Sequence, residues 1–314
     1  MTSLRFVSFL AGFGAFSFAA IAPAGAEAPA AYVISDSTTG FVLEQSAGTK
    51  KRPVASLTKI ATALVVLDWA AQTKADLSQL ATVPTTAGRL GTPQGVGFQP
   101  GDQCSLRDLI YAALMQSDNL AAETLAEHVG AELRDGQLPP TAAFAAQMNA
   151  LARQLGMLQT RFLNAHGLDH LERSIPVSTA ADLAKLTTYA MASTAFRFYV
   201  SQKERKITLT TAAGEPSSYL LRNTNELLGR SSIDGVKTGA TARAGQCIIV
   251  SAARAPESRQ QGDEHIITPR RLNVVVLGSA DRFNVAAGLL QHGWRLYDSW
   301  AAAGRPTKGW QPPR

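Results

Sequence analysis

Hydrophobic periodicity changes twice along this chain, strand-like at both ends and helix-like in the middle. Tyr32-Val33-Ile34 and Phe41-Val42-Leu43 flank Asp36-Ser37-Thr38-Thr39-Gly40, which predicts a β-hairpin around a glycine-ended turn. After Pro53, the segment Ser56 to Trp69 repeats Ile60, Ala63, Leu64 and Leu67 at helical spacing, so Ser56 lies at a helix N-terminus. A helix-rich stretch follows. Ser105 and Asp108 make a capping-box-like start for Leu106 to Met115, and a second helix runs from Leu120 to Val129. Only Ser117, Asp118 and Asn119 stand between them. Thr141 is expected to cap a helix ending at Gly156, and Ser178 one that runs through Met191. Strand patterns return at Ile207 to Thr210, Tyr219 to Arg222, Val236 to Thr238, Gln246 to Ala252 and Leu272 to Leu277. The polar stretch Pro256 to Arg271 reads as an exposed hairpin loop, and Arg282 to Trp300 as a closing helix. Strands at both ends around a helical middle, without βαβ alternation, imply an α+β fold: an antiparallel sheet flanked by helices, plus a helical lobe.

With 314 residues, 46% hydrophobic and 17% charged, the chain can bury a large core in one or two packed domains. Its first segment differs. Arg5 is the only charge, an apolar run spans Phe6 to Ile21, and Ala24-Gly25-Ala26 offers small residues for cleavage. Residues 1–26 are therefore expected to be a secretory signal peptide cleaved near Ala26, because sixteen apolar residues are fewer than the ~20 of a spanning helix. Residues 27–303 would form the catalytic domain and 304–314 a polar, proline-containing tail. Loss of Arg5 takes the formal charge from +6 to +5. Such a balance favours anionic surroundings such as wall polymers and acidic peptide termini. Nucleic acid is excluded as a partner: the basic residues are scattered and aromatics make up only 7%. Cys104 and Cys247 could form one disulfide in an oxidising compartment, although the apolar surroundings of Cys247 suggest a buried thiol.

Three short motifs occur in order: Ser56-Leu57-Thr58-Lys59, Ser117-Asp118-Asn119 and Lys237-Thr238-Gly239. Taken singly, each reads as a helix cap or a strand-end turn. Their order and contexts fit one chemistry. A serine hydroxyl needs a base within hydrogen-bond reach, and Lys59 shares a helix face with Ser56. Desolvation and the charge of Lys237 would strip the proton from Lys59 and let it serve as that base. Ser117, at a tight turn, is placed to relay a proton to a departing amine. Asn119 carries donor and acceptor on one amide for a substrate backbone, and Asp118 is a structural cap. Lys237 and Thr238 offer a cation and a hydroxyl to a terminal carboxylate, and Gly239 leaves the strand edge open to a pairing peptide. The backbone N–H groups of Ser56 and Ala240 are the expected oxyanion donors.

With these residues in place, the sequence resembles the low-molecular-mass penicillin-binding proteins of the D-alanyl-D-alanine carboxypeptidase family. Similar stretches include Asp36 to Gly40, Pro53 to Lys59, Met148 to Gly156, Phe162 to Leu168, Ser178 to Ala180 and Asp234 to Thr241, spread over about residues 31 to 300. The resemblance implies a β-lactamase-like fold, a periplasmic location, and removal of the terminal D-alanine from peptidoglycan peptides. It also implies covalent labelling of the serine by β-lactams, and neither metal nor organic cofactor. Two departures stand out. Many relatives carry a second β-rich domain and an amphipathic membrane helix, which counts against membrane attachment here. Several relatives also have an arginine that clamps the substrate carboxylate in an Asn-x-Asn-x-Leu-Leu segment, which reads Asn223-Thr224-Asn225-Glu226-Leu227-Leu228 in this chain. Arg222 and Arg243 are the two substitutes to consider. That departure leaves DD-endopeptidase action on crosslinks open.

A class A β-lactamase would share the three motifs but needs a carboxylate that activates water, and neither Glu132 nor Glu172 has that context. A non-catalytic wall-binding protein is the remaining alternative. His166 and His170 are four apart, but Gly167 between them argues for a loop and against a zinc site.

Overall fold

The computed structural model describes residues 28–91, 95–134, 136–169, 174–261 and 264–311. The expected signal segment, residues 1–26, lies outside the described residues, as do His170, Glu172 and the end of the tail. Strands β1 (Ala31–Asp36) and β2 (Val42–Ser46) form the predicted hairpin, with Gly40 in the left-handed region at φ 75°. They join β7 (Ile233–Thr241), β8 (Gly245–Gln261) and β9 (Glu264–Ser279) in an antiparallel sheet of order β2-β1-β9-β8-β7. This order leaves β7 at the edge, a position that matters below.

Residues on β9 alternate between two cores, as the pleat requires. Leu272, Val274 and Val276 pack with Val285, Leu289, Trp294 and Trp300 of α7 (Arg282–Ala302). Val275 and Leu277 face the other way, into the helical lobe. That lobe is built around α1 (Lys59–Thr73), which is preceded by a 3₁₀ turn over Ala55–Thr58. Every residue from Lys59 to Val66 is buried, so α1 is the lobe's central helix rather than an amphipathic surface one. Around it lie α2 (Leu106–Met115), α3 (Asn119–Leu133), α4 (Pro140–Gln154), α5 (Ala180–Ala192) and α6 (Thr194–Val200). A second, four-stranded sheet borders the lobe, with order β3-β4-β5-β6 from Leu80–Thr82, Gln103–Ser105, Glu204–Thr210 and Pro216–Arg222. The α+β architecture expected from the sequence is the one observed.

Local details depart from expectation in three places. Pro139 is the N-cap of α4 and Pro140 its first residue, so Thr141 sits inside the helix; the ring of Pro140 suits a position whose N–H has no helical partner. The hydroxyl that caps α5 belongs to Thr179, which accepts from the Asp182 N–H at 3.0 Å, and not to Ser178. The stretch Pro256 to Arg271 is no loop: β8 and β9 stay paired from Glu257↔Thr268 to Gln261↔Glu264. Both faces of this ribbon look outward, so it lacks the hydrophobic alternation by which strands are recognised. Arg270 and Arg305 both meet Glu257 at its base, and Arg270 also reaches Asp298 on α7. The tail folds back, with Trp310 edge-on to Phe41 and the Trp300 indole donating to Pro306 O at 3.0 Å.

Cys104 and Cys247 are both buried free thiols. Among the described residues no helix is long and apolar enough to cross a membrane, and no cluster of side chains could hold a metal ion.

Candidate active site

A cleft of about 950 Å³ opens between the helical lobe and the edge strand β7. Ser56, Ser117, Asn119, Thr238, Gly239 and Ala240 all line it. Lys59 and Lys237, 0% and 1% exposed, complete the set of sequence-predicted residues and lie beneath its surface.

Two residues with positive φ aim the lobe side. Ala55 (φ 51°) turns the chain so that Ser56 emerges in the 3₁₀ turn, and Ser117 (φ 63°) makes the bend between α2 and α3. For residues with a Cβ such conformations are costly and persist only where the surroundings impose them, as at functional sites. At Ala55 that constraint is contact from both sides. A Cβ on Gly239 would lie 2.9 Å from the Ser56 nitrogen, and one on Gly167 would lie 2.0 Å from the Ala55 carbonyl oxygen. Glycine at 239 therefore lets the turn that carries Ser56 sit directly on β7, a different reason from the open strand edge inferred from sequence.

The Lys59 ammonium nitrogen is held by three acceptors: Ser56 Oγ at 2.8 Å, Asn119 Oδ1 at 2.7 Å and the His166 carbonyl at 2.8 Å. Complete burial lowers its pKa from the ordinary 10.5 to about 7, against an opposing pull from Asp118. Lys237 differs. Its Nζ donates to the carbonyl of Thr238 at 2.8 Å, and its pKa falls well below the usual lysine value through burial first, then repulsion from Lys59 and Arg282. Desolvation thus dominates both shifts, and the charge repulsion invoked from sequence weighs on Lys237.

Asn119, which lines the cleft, accepts from Lys59 and donates from Nδ2 to Gly91 O at 2.8 Å. Asp118 points away from the cleft and caps α3, accepting from Ala121 N at 2.9 Å and Val96 N at 2.8 Å. His166 belongs to a turn, as expected: its Nδ1 accepts from Leu168 N at 3.1 Å, and Asn164 Oδ1 accepts from Gly167 N at 2.7 Å.

On the strand side, the hydroxyls of Thr238 and Thr224 meet at 2.6 Å, and Thr224 N is anchored to Met115 O at 3.0 Å across the lobe. Arg222, Arg243 and Arg282 also line the cleft. Sequence reasoning missed Thr224, Arg282 and the His166 carbonyl. No local motif marks them, because each acts through a contact with a residue more than ten positions away. Only the α7 start could have drawn attention to Arg282, at the first turn of the closing helix.

Comparison with known proteins follows the same outline. The family model for D-alanyl-D-alanine carboxypeptidase matches residues 18–260. The chain is 32% identical over 277 residues to D-alanyl-D-alanine carboxypeptidase DacC of Escherichia coli, covering 86% of this chain and 62% of the relative. It is 34% identical over 225 residues to a D-alanyl-D-alanine endopeptidase of Pseudomonas aeruginosa, covering 69% and 65%. The chain thus spans somewhat less than two thirds of these relatives' length. Among solved structures, the Streptomyces K15 DD-transpeptidase superposes with a TM-score of 0.72 at 26% identity, covering 85% of this chain and 97% of that one. Penicillin-binding protein D2 of Listeria monocytogenes with bound cefotaxime gives 0.65 at 30% identity, covering 85% and 97%. These neighbours share the β-lactamase-like DD-peptidase fold.

Proposed function

The chain belongs to the D-alanyl-D-alanine carboxypeptidase family, and on that premise we propose that it is an exported serine-type D-Ala-D-Ala carboxypeptidase of peptidoglycan stem peptides, with residues 27–303 as its catalytic unit. The observation that carries this reading is the contact of the fully buried Lys59 with the Ser56 hydroxyl.

Neutral Lys59 takes the proton of Ser56 Oγ as that oxygen bonds to the carbonyl carbon of the penultimate D-alanine. The N–H groups of Ser56 and Ala240 receive the oxyanion. Ser117 passes a proton to the departing amine, the C–N bond breaks, and D-alanine leaves. Water then takes the place of the amine, cleaves the acyl ester and regenerates Ser56. Asn119 and the β7 edge position the peptide, with Gly239 keeping the nucleophile's turn against that strand and Lys237 holding its Thr238 end. A β-lactam enters by the same attack and stays as an acyl-enzyme, for which the cefotaxime-bound Listeria neighbour is the supporting parallel.

The similarity to endopeptidases favours a second reading, cleavage of crosslinks by the same site. One experiment separates the two. The protein is incubated with pentapeptide monomers and with crosslinked dimers, and the products are identified by mass. Tetrapeptide plus free D-alanine is the expected result; release of monomers alone favours the endopeptidase, and intact substrates of both kinds overturn the proposal.

A further inference from the structure

Ser117 holds a left-handed backbone, φ 63°, just past the end of α2, a place that helices usually give to glycine. The Gln116 and Asp118 N–H groups both donate to the Ala112 carbonyl, at 3.2 and 3.1 Å, so the chain closes tightly around it. A conformation that is costly for a residue with a Cβ persists only where neighbouring contacts impose it. After the bend, Asp118 and Asn119 supply such contacts through Ala121, Val96, Lys59 and Gly91. What fixes the chain before the bend lies outside the Ser117-Asp118-Asn119 motif.

That side is tied to β6, the last strand of the small sheet, which has a strand neighbour on one edge only. The Arg222 N–H donates to Gln116 Oε1 at 2.9 Å, and Gln116 Nε2 donates to the Tyr219 hydroxyl at 3.3 Å. One residue earlier, the Met115 carbonyl accepts from Thr224 N at 3.0 Å, just past the end of β6. Oxygen and nitrogen of the Gln116 amide are thus both engaged on one strand. Fixing a long, flexible side chain costs conformational entropy, and two directed bonds offset that cost here. Gln116 and Ser117 line the cleft side by side.

We infer that Gln116 is the positioning residue for Ser117: by clamping the α2–α3 bend to β6, it sets where the serine hydroxyl meets the departing nitrogen. This rests on the acyl-transfer reading above. In that reading one proton leaves Ser56 Oγ for Lys59, and Ser117 hands one to the nitrogen as the C–N bond breaks. Gln116 governs the second transfer and not the first, because Lys59 is held by a separate set of acceptors at Ser56, Asn119 and His166. Its loss should matter when the leaving group needs a proton and matter little when it does not.

The test compares N-acyl-D-alanyl-D-alanine with the thioester in which sulfur replaces its scissile nitrogen, since a thiolate leaves with its electron pair and needs no proton. The readout is kcat/KM, which reports the steps through acylation of Ser56. Gln116→Met should lower it about 10- to 100-fold for the amide, the cost of a misplaced catalytic group, and about twofold or less for the thioester. Gln116→Glu, whose carboxylate can still accept from Arg222 N and from the Tyr219 hydroxyl, should recover most of the amide rate. Ser117→Ala should show the same selective loss, and adding Gln116→Met to it should cost little more, because the two act as one unit. Tyr219→Phe removes one bond of the clamp without touching the lobe core, and should give a selective loss of about two- to fivefold even if Gln116→Met folds poorly. If Gln116→Met and Tyr219→Phe slow amide and thioester equally, or leave both at the wild-type rate, the inference is wrong while the acyl-transfer reading stands. A full additional loss on top of Ser117→Ala overturns it in the same way. If the wild type turns over neither compound, the acyl-transfer reading itself fails and takes this inference with it.

Discussion

Lys59 and Lys237 are fully buried lysines on opposite walls of one cleft, yet the fold employs them differently. On the lobe wall, Lys59 has its nitrogen against the Ser56 hydroxyl and two fixed acceptors behind it, and its pKa is lowered to about 7, the arrangement the proposed reading needs of a base. On the strand wall, Lys237 is likewise lowered well below the ordinary lysine value, through burial first, but bonds its own backbone at Thr238 O. A shifted pKa therefore identifies chemistry only when the geometry points the group at a reacting atom. On the proposed reading, the lobe wall performs the bond-making and the strand wall selects what is brought to it.

The largest effect should come from Lys59→Arg, which keeps the charge and removes the proton acceptor. Acylation of Ser56 by any donor, peptide or β-lactam, should fall by about 10³-fold, read as the rate of covalent labelling. A rate near that of the wild type would place the base elsewhere and erase the distinction between the walls. Next in size, Gly239→Val tests whether the walls touch. Its Cβ would press within 2.9 Å of the Ser56 nitrogen and 3.2 Å of the Leu57 nitrogen. Overpacking of about 1–3 kcal/mol against the nucleophile's turn should cost roughly 10- to 100-fold in labelling rate, across all donors. The smallest expected effect belongs to Thr224→Val, which removes one hydrogen bond to Thr238. A loss of about 1 kcal/mol, roughly fivefold in kcat/KM, should appear for carboxylate-bearing substrates and be absent for their carboxamide analogues.

These contrasts also show what was legible in the sequence. The periodicities located every helix that builds the lobe core except the short α6, because buried faces impose spacing. They missed the β8–β9 ribbon beyond Ala253 because a strand pair solvated on both faces imposes none. The motifs at Ser56, Ser117 and Lys237 marked segments that the fold gathers around one cleft, since each depends on a local turn or helix end. They did not reveal that Lys237 is screened from the cleft, that Asn119 is tied to Gly91, or that Arg282 reaches Gly239. Those facts arise where segments distant in the chain meet, and neither local spacing nor local composition records them.

The pH dependence of Ser56 acylation by a non-titrating β-lactam tests the central claim most directly. Because burial holds Lys59 near 7 rather than 10.5, its neutral form is the majority above that value. The labelling rate should rise about tenfold per pH unit below 7 and level off above it. The unfolded chain, with its lysine near 10.5, binds one proton more than the folded chain between about 7 and 10.5, so the Lys59 contribution to stability also rises with pH across that window. A rate still climbing steeply at pH 9, or one indifferent to pH from 5 to 9, would mean that Lys59 is not the neutral base the lobe wall was read to provide.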